Sequence, residues 1–367
     1  MRTFAQSVAL LSGTLLLFVS CPSGPRAAQP ESGPPRFISA ADPRFRYEGR
    51  FDLSDRAHPV VIWQASRIRI DFESATLALL FRDMRGQCFF NAQIDGANTV
   101  VAVREGTPSR IELPVPGAGR HRLLLVKRSE ATAGRVSFAG LELAPGAGAW
   151  APPPSGAKLK MEFIGDSITA GACNEDGARD QWEDRGTHNG TLSYAALTAA
   201  AFAADERIIA VSGMGVAVGW APMTAGSVWD RTFPDPSSPR ADLAAWTPDV
   251  VLVNLGENDD SFSRAHGRAF PPGYADGYVA LVRAIRQSHP AARIVLLRGG
   301  MDGGARSEPL RRAWETAVQR LETDDANVSH FVFAHWTQQH PRVADDRVLA
   351  DELVRWLGQQ AFMRKYR

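Results

Sequence analysis

The stretch Lys158-Leu-Lys-Met-Glu-Phe-Ile-Gly-Asp-Ser-Ile-Thr-Ala-Gly171 decides how the chain is read. Leu159, Met161, Phe163 and Ile164 alternate and then run together as in a buried strand, which stops abruptly at Gly165-Asp166-Ser167. Ser167 therefore stands at the carboxyl end of a strand. In an open α/β sheet the loops leaving that end line the binding crevice, so a hydroxyl there faces a substrate rather than the core. Gly-Asp-Ser is also an ordinary turn composition. The rest of the chain has to decide between the two.

Downstream, a polar loop at 174–190 precedes an Ala-rich helical pattern at 192–204. Strand-like runs follow at 207–211, 249–255, 293–297 and 329–334, separated by helical spacing at 274–287, 308–322 and 346–357. Five strands alternating with helices predict a parallel, flavodoxin-like sheet covered on both faces. Upstream the pattern differs. Short alternating runs at 66–72, 76–82, 88–94, 110–114, 121–127 and 135–143, with turn residues such as Asp95-Gly96 between them, predict an antiparallel β-sandwich. The expected division is thus a leader at 1–35, a β-sandwich at 36–144, a Gly/Ala/Pro linker at 145–156 and an α/β domain at 157–367. No catalytic constellation lies in the β-region, whose expected roles are sugar binding, shaping a neighbouring site, or packing.

A length of 367 residues with 44% hydrophobic and 22% charged content suits two soluble domains, and a net charge of +1 points away from nucleic acid or an acidic membrane surface as partner. Arg2 followed by the apolar run 8–19, too short to span a bilayer comfortably, predicts an export signal and a periplasmic or extracellular protein. Two processing routes are open: cleavage after Ala27-Ala28, or a lipid anchor on Cys21. Cys88 and Cys173, one in each domain, are expected as separate buried thiols.

Four residues suited to chemistry fall just after strands: Ser167, Gly213, Asn258 and His340. Each has a plain reading as a turn, cap or solvated loop residue. On a parallel sheet, however, all four loops share one edge. Ester hydrolysis needs a nucleophile, a base and donors aimed at the developing oxyanion. Ser167 with His340 supplies the first two, and the Ser167 and Gly213 amides with the Asn258 side chain supply the third. Glu257, Asp259 and Asp260 read as capping or solvated acids rather than metal ligands, so no metal or cofactor is expected. Among Trp182, Trp220, Trp229 and Trp336, the last is the candidate sugar platform because it is near His340.

These blocks resemble the SGNH, or GDSL-like, hydrolase superfamily: Gly165-Asp166-Ser167, the glycine of Ser212-Gly213, Gly256-x-Asn258-Asp259 and His340-Pro341. More narrowly the chain is similar to carbohydrate esterase family 2, in which a jelly-roll precedes an SGNH domain; Lys127-Arg-Ser-Glu130 and Gly134-x-Val136-x-Phe138 resemble the end of that jelly-roll. The resemblance implies an acetylated xylan or mannan as substrate, with no protein partner. It also marks a departure. Most superfamily members carry an aspartate three residues before the histidine, where this chain has Thr337. Family-2 sites in which a backbone carbonyl orients the histidine make a Ser-His dyad the first expectation, with Asp302, Glu308 or Asp345 left open as a third member. A short-chain lipase or thioesterase of the same fold, or a sugar-binding protein with a decayed site, are the alternatives.

Overall fold

A computed structural model describes residues 33–366. The apolar run 8–19 and Cys21, on which export and lipidation rest, lie outside them.

Five parallel strands, Lys160–Gly165, Asp205–Ala210, Val250–Asn254, Arg293–Met301 and Val328–Thr337, form one sheet in the order second, first, third, fourth, fifth. The three inner strands, Lys160–Gly165, Val250–Asn254 and Arg293–Met301, are buried on both faces, as parallel sheets require, whereas the edge strand Val328–Thr337 is partly exposed. Ile164, Val251, Val253, Ile294 and Leu296 face one core with Tyr278 and Trp314, from helices Tyr274–Ser288 and Glu308–Asp324. Phe163, Leu252, Val295 and Leu297 face the other, with Tyr194 and Leu353 from helices Tyr194–Ala201 and Val343–Gln359. Helix Glu308–Asp324 shows why the periodicity works: Leu310, Trp314, Ala317, Val318 and Leu321 make one stripe and are its buried residues. Register then places the functional loops. Gly165 pairs with Ala210 on one side and Asn254 on the other, so three strands end level and their loops leave together.

The N-terminal domain is antiparallel but not made of separate short strands throughout. Where two runs are expected at 76–82 and 88–94, one strand, Leu77–Ile94, continues through both. Asp83 (φ +49°) and Gly86 (φ +67°) do bend the chain, but pairing to Gly134 and Arg135 persists across the bend. The first half of this strand pairs with Arg110–Leu113 and Gly134–Leu143; the second half pairs with Ala97–Arg104 and Arg120–Lys127. One strand thus serves both layers, giving a connected, barrel-like sheet around a core that includes Phe72, Phe81, Phe90 and Phe138. Further strands lie outside the runs expected from sequence. Ala97–Arg104 completes the hairpin after Asp95-Gly96, and Gly148–Trp150, inside the expected linker, pairs with Arg67–Glu73.

The two sheets are joined by buried polar contacts. Trp63 Nε1 donates to the Thr232 carbonyl (2.8 Å), Gln64 to that of Ala210 (3.1 Å), and Arg50 meets Glu162 at 3.2 Å. Cys88 and Cys173 are both free and buried.

Candidate active site

Gly165 is the last residue of the first strand, and only glycine fits there, since a Cβ would lie 2.1 Å from Thr169 Oγ1. Asp166 then caps the short helix Ser167–Ala170, its Oδ1 accepting from the Ile168 amide at 3.1 Å. This aims Ser167 out of the helix start. Its Oγ lies 2.8 Å from His340 Nε2, although the two residues are 173 positions apart.

The other face of the imidazole departs from expectation. His340 Nδ1 lies 2.6 Å from Oδ2 of Asp180, so a Ser-His-Asp relay replaces the expected dyad. Asp180 belongs to the 174–190 loop. The carboxylates left open in sequence are engaged elsewhere: Asp345 Oδ1 with His335 (2.8 Å), Glu308 with Arg311 and Arg312, and Asp302 near Arg264 and Arg306. Arg342 ties Asp180 to the histidine segment, donating from Nη1 to Asp180 Oδ1 (2.8 Å) and to the His340 carbonyl (2.9 Å). Burial pushes the Asp180 carboxyl up, but hydrogen bonding and charge from His340, then Arg342, outweigh it and hold it at about 2. An ionised Asp180 keeps the proton on Nδ1. Nε2 is then the acceptor, and the Ser167 hydroxyl donates to it.

Gly213 follows the second strand with φ +82°, and a Cβ there would sit 2.9 Å from the Ala221 nitrogen. Only glycine suits so tight a turn. Among the described residues no hydrogen-bond acceptor is found for the Ser167 or Gly213 amide, so both can serve a substrate oxygen. Asn258 differs from the simple expectation. It is the second residue of helix Glu257–Ala265, and its Nδ2, expected as an available donor, donates to Asp166 Oδ2 and the Met214 carbonyl, both at 3.1 Å. Presenting an N–H to an oxyanion means sharing or exchanging one of these bonds.

The acids around Asn258 shape loops. Asp259 accepts from the amides of Val216 (2.8 Å), Ala217 (2.7 Å) and Val218 (3.0 Å), and Glu257 from those of Gly303 (3.1 Å) and Gly304 (2.7 Å). Among the described residues, potential metal-ligand clusters gather around Cys173, with Asp180 and His340 or with Asp176 and His188. Loading the first with a cation would sacrifice the His340–Asp180 hydrogen bond, so the arrangement present is that of a proton relay.

Ser167, Gly213, Asn258 and His340 all line one cavity of about 670 Å³. Trp336 is not among its lining residues; its ring lies 5.4 Å from the Arg306 guanidinium. The aromatic walls are Trp182 and Trp220, and Trp182 packs edge-on against His340 with centroids 5.3 Å apart. Thr132, from the β-domain, completes part of the wall. Trp182 and Trp220 are among the four tryptophans noted in sequence, though Trp336 is preferred there for its nearness to His340; Asp180 carries no sequence signal, because the loop has no periodicity and it lies far from His340 along the chain.

A serine, an imidazole and a carboxylate in this order, at the carboxyl edge of a parallel sheet, define a serine-hydrolase site. Residues 163–353 match the GDSL-like lipase/acylhydrolase family, and residues 47–153 match the carbohydrate esterase 2 N-terminal domain. The chain belongs to the GDSL-like lipase/acylhydrolase family. It is 32% identical over 331 residues to the cellulase/esterase CelE of Acetivibrio thermocellus, a match covering 85% of this chain but 39% of that protein, so the chain spans about two fifths of that relative's length. An acetylxylan esterase/glucomannan deacetylase of Cellvibrio japonicus is 28% identical, with 81% of this chain and 85% of that protein covered. Among solved structures, a family two carbohydrate esterase from Clostridium thermocellum in complex with cellohexaose superposes with a TM-score of 0.77 at 29% identity, covering 85% of this chain and 98% of that one.

Proposed function

We propose that the protein is a serine esterase that removes acetyl groups from acetylated polysaccharide or oligosaccharide of xylan or mannan type. The observation that carries this reading is the continuous relay from Ser167 through His340 to Asp180, opening into a cavity walled by tryptophans. His340 Nε2 takes the hydroxyl proton as Ser167 Oγ bonds to the acetyl carbon. The amides of Ser167 and Gly213, with Asn258, receive the oxyanion. Collapse of the tetrahedral intermediate breaks the ester C–O bond, and the imidazolium returns its proton to the departing sugar oxygen. Water, deprotonated by His340, then attacks the acetyl-serine and releases acetate with Ser167 restored. Asp180 supplies the carboxylate that Thr337 does not, which removes the reason to read the site as decayed.

The substrate class is supported by the relatives' deacetylase and cellulase/esterase descriptions. We further propose that the protein acts outside the cytoplasm, on the strength of Arg2 and the apolar run 8–19. An acetate-release screen over acetylated xylan, glucomannan and longer acyl esters tests the activity. Release from the acetylated polysaccharides is expected, with Ser167→Ala lowering it by about 10⁴-fold or more. Turnover of long-chain esters alone would replace the reading with a lipase.

A further inference from the structure

The loop that carries Asp180 and Trp182 has little regular structure of its own beyond 3₁₀ turns Arg185–Thr187 and Gly190–Leu192 at its far end. A long loop of this kind needs anchors to keep one conformation. Arg342 holds the loop next to Asp180. Gln339 of the same domain accepts from the Asp180 amide (3.1 Å), and the Val343 amide donates to the Asn174 carbonyl (3.0 Å). Further anchors come from the β-domain. Glu130, fully buried at the end of the segment 127–130, accepts a hydrogen bond from Arg185 Nη1, and the same oxygen lies 3.4 Å from His188 Nδ1. The Arg185 guanidinium lies 4.8 Å from the Trp182 ring centroid, and Trp182 in turn packs against His340. Gln87 brackets the same turn, donating from Nε2 to the Glu183 carbonyl (2.8 Å) and accepting from the Arg185 amide (3.2 Å). Arg128 pairs with Glu175 at the start of the loop, and its carbonyl accepts from the Gly190 amide (2.7 Å) at the end. Burial pushes the Glu130 carboxyl up, yet the nearby polar groups of His188 and Ser212 and the charges of His188 and Arg185 more than offset it and hold it below the ordinary value.

We propose that Glu130 of the β-domain is a positioning residue for the catalytic relay: by holding Arg185 and His188 it sets where the loop carrying Asp180 meets His340. The β-domain is then part of the esterase machinery in addition to any role in sugar binding. The inference rests on the esterase reading for its kinetic test, and it acts through Asp180 rather than on substrate.

The test is a double-mutant cycle on the full chain with a chromogenic acetate ester. Glu130→Gln should lower kcat about tenfold with little change in KM, yet by less than about twofold when Asp180 is already Asn, since a residue that works through another loses its effect once that other is gone. Gln87→Ala, on a half-buried side chain, should show the same pattern at about threefold and decides the matter if Glu130→Gln does not fold. Equal fold-losses in both backgrounds, or no loss in either variant, would overturn the proposal. The proton shared by His340 Nδ1 and Asp180 gives a second readout by its low-field NMR signal, expected to vanish in Asp180→Asn and to broaden in Glu130→Gln. A wild-type protein without esterase activity would defeat the proposed function alone. The signal would still decide the positioning, which an unchanged resonance in Glu130→Gln would refute.

Discussion

The rim of the parallel sheet and the 174–190 loop both deliver residues to the same cavity, and they do so by different physics. At the rim, Gly165, Ala210 and Asn254 are held level by strand register, so Ser167, Gly213 and Asn258 are placed by backbone pairing that extends deep into two cores. The loop has no such pairing. Asp180 and Trp182 reach His340 because side chains from elsewhere, Arg342 from one domain and Gln87, Arg128 and Glu130 from the other, fasten the loop where it lies. One half of the site is therefore built into the sheet, and the other is assembled by long-range polar contacts.

The largest expected effect breaks the loop's contribution outright. Asp180→Asn removes the charge that keeps the proton on Nδ1, and kcat for acetate-ester hydrolysis should fall by about 10³-fold or more, as loss of a triad carboxylate does elsewhere. Activity within a few-fold of wild type would mean that the loop is dispensable and the rim suffices as a dyad. Because Asp180 is held at about 2 against an ordinary 3.8, its contribution to stability is complete above pH about 4 and is lost as pH falls through about 2.

A second experiment sharpens the rim's side of the contrast. Burial first, and then the charges of Glu257 and Asp259, push the Asp166 carboxyl up to about 8, beyond what its hydrogen bonds from Ile168 and Asn258 offset. The folded chain then retains a proton that the unfolded chain gives up above pH about 4. The corresponding stability is complete below that pH and is lost as pH rises through about 8. Denaturant unfolding at pH 5 and pH 8 should show a drop for the wild type that is smaller in Asp166→Asn. Identical drops would mean that Asp166 is ionised in the folded protein.

The smallest effect is expected from Asp345→Ala. Its carboxylate caps helix Val343–Gln359 through the Arg342 amide (2.9 Å) and bonds His335, so esterase activity should stay within about twofold of wild type. A collapse of activity in a folded variant would move the third member of the relay from the loop to this helix.

What could be read without coordinates follows the same line. The buried strand ending at Ser167, the alternation of strands and helices, and the glycine at 213 are local in character: periodicity, turn chemistry and strand order carry them. Asn258 is picked out by its place just after the third strand, but spacing gives no sign that its amide is already engaged by Asp166 and the Met214 carbonyl. The search for an acid near His340 in sequence failed for a different reason. Asp302 and Glu308 are offered from another loop and Asp345 from just beyond the histidine, but their partners are arginines and another histidine. Trp336 was singled out by the same proximity, while Trp182, far away in sequence, lies beside the imidazole.

By itself, then, the sequence determined that a nucleophile, an oxyanion glycine, an amide and a base would leave one edge of a parallel sheet, because hydrophobic period and turn residues dictate where strands end. Only the tertiary structure decided which carboxylate completes the relay and which aromatic ring walls the cavity. Those choices depend on the closure of a loop against two domains, and closure is a matter of distances in space on which spacing along the chain has no bearing.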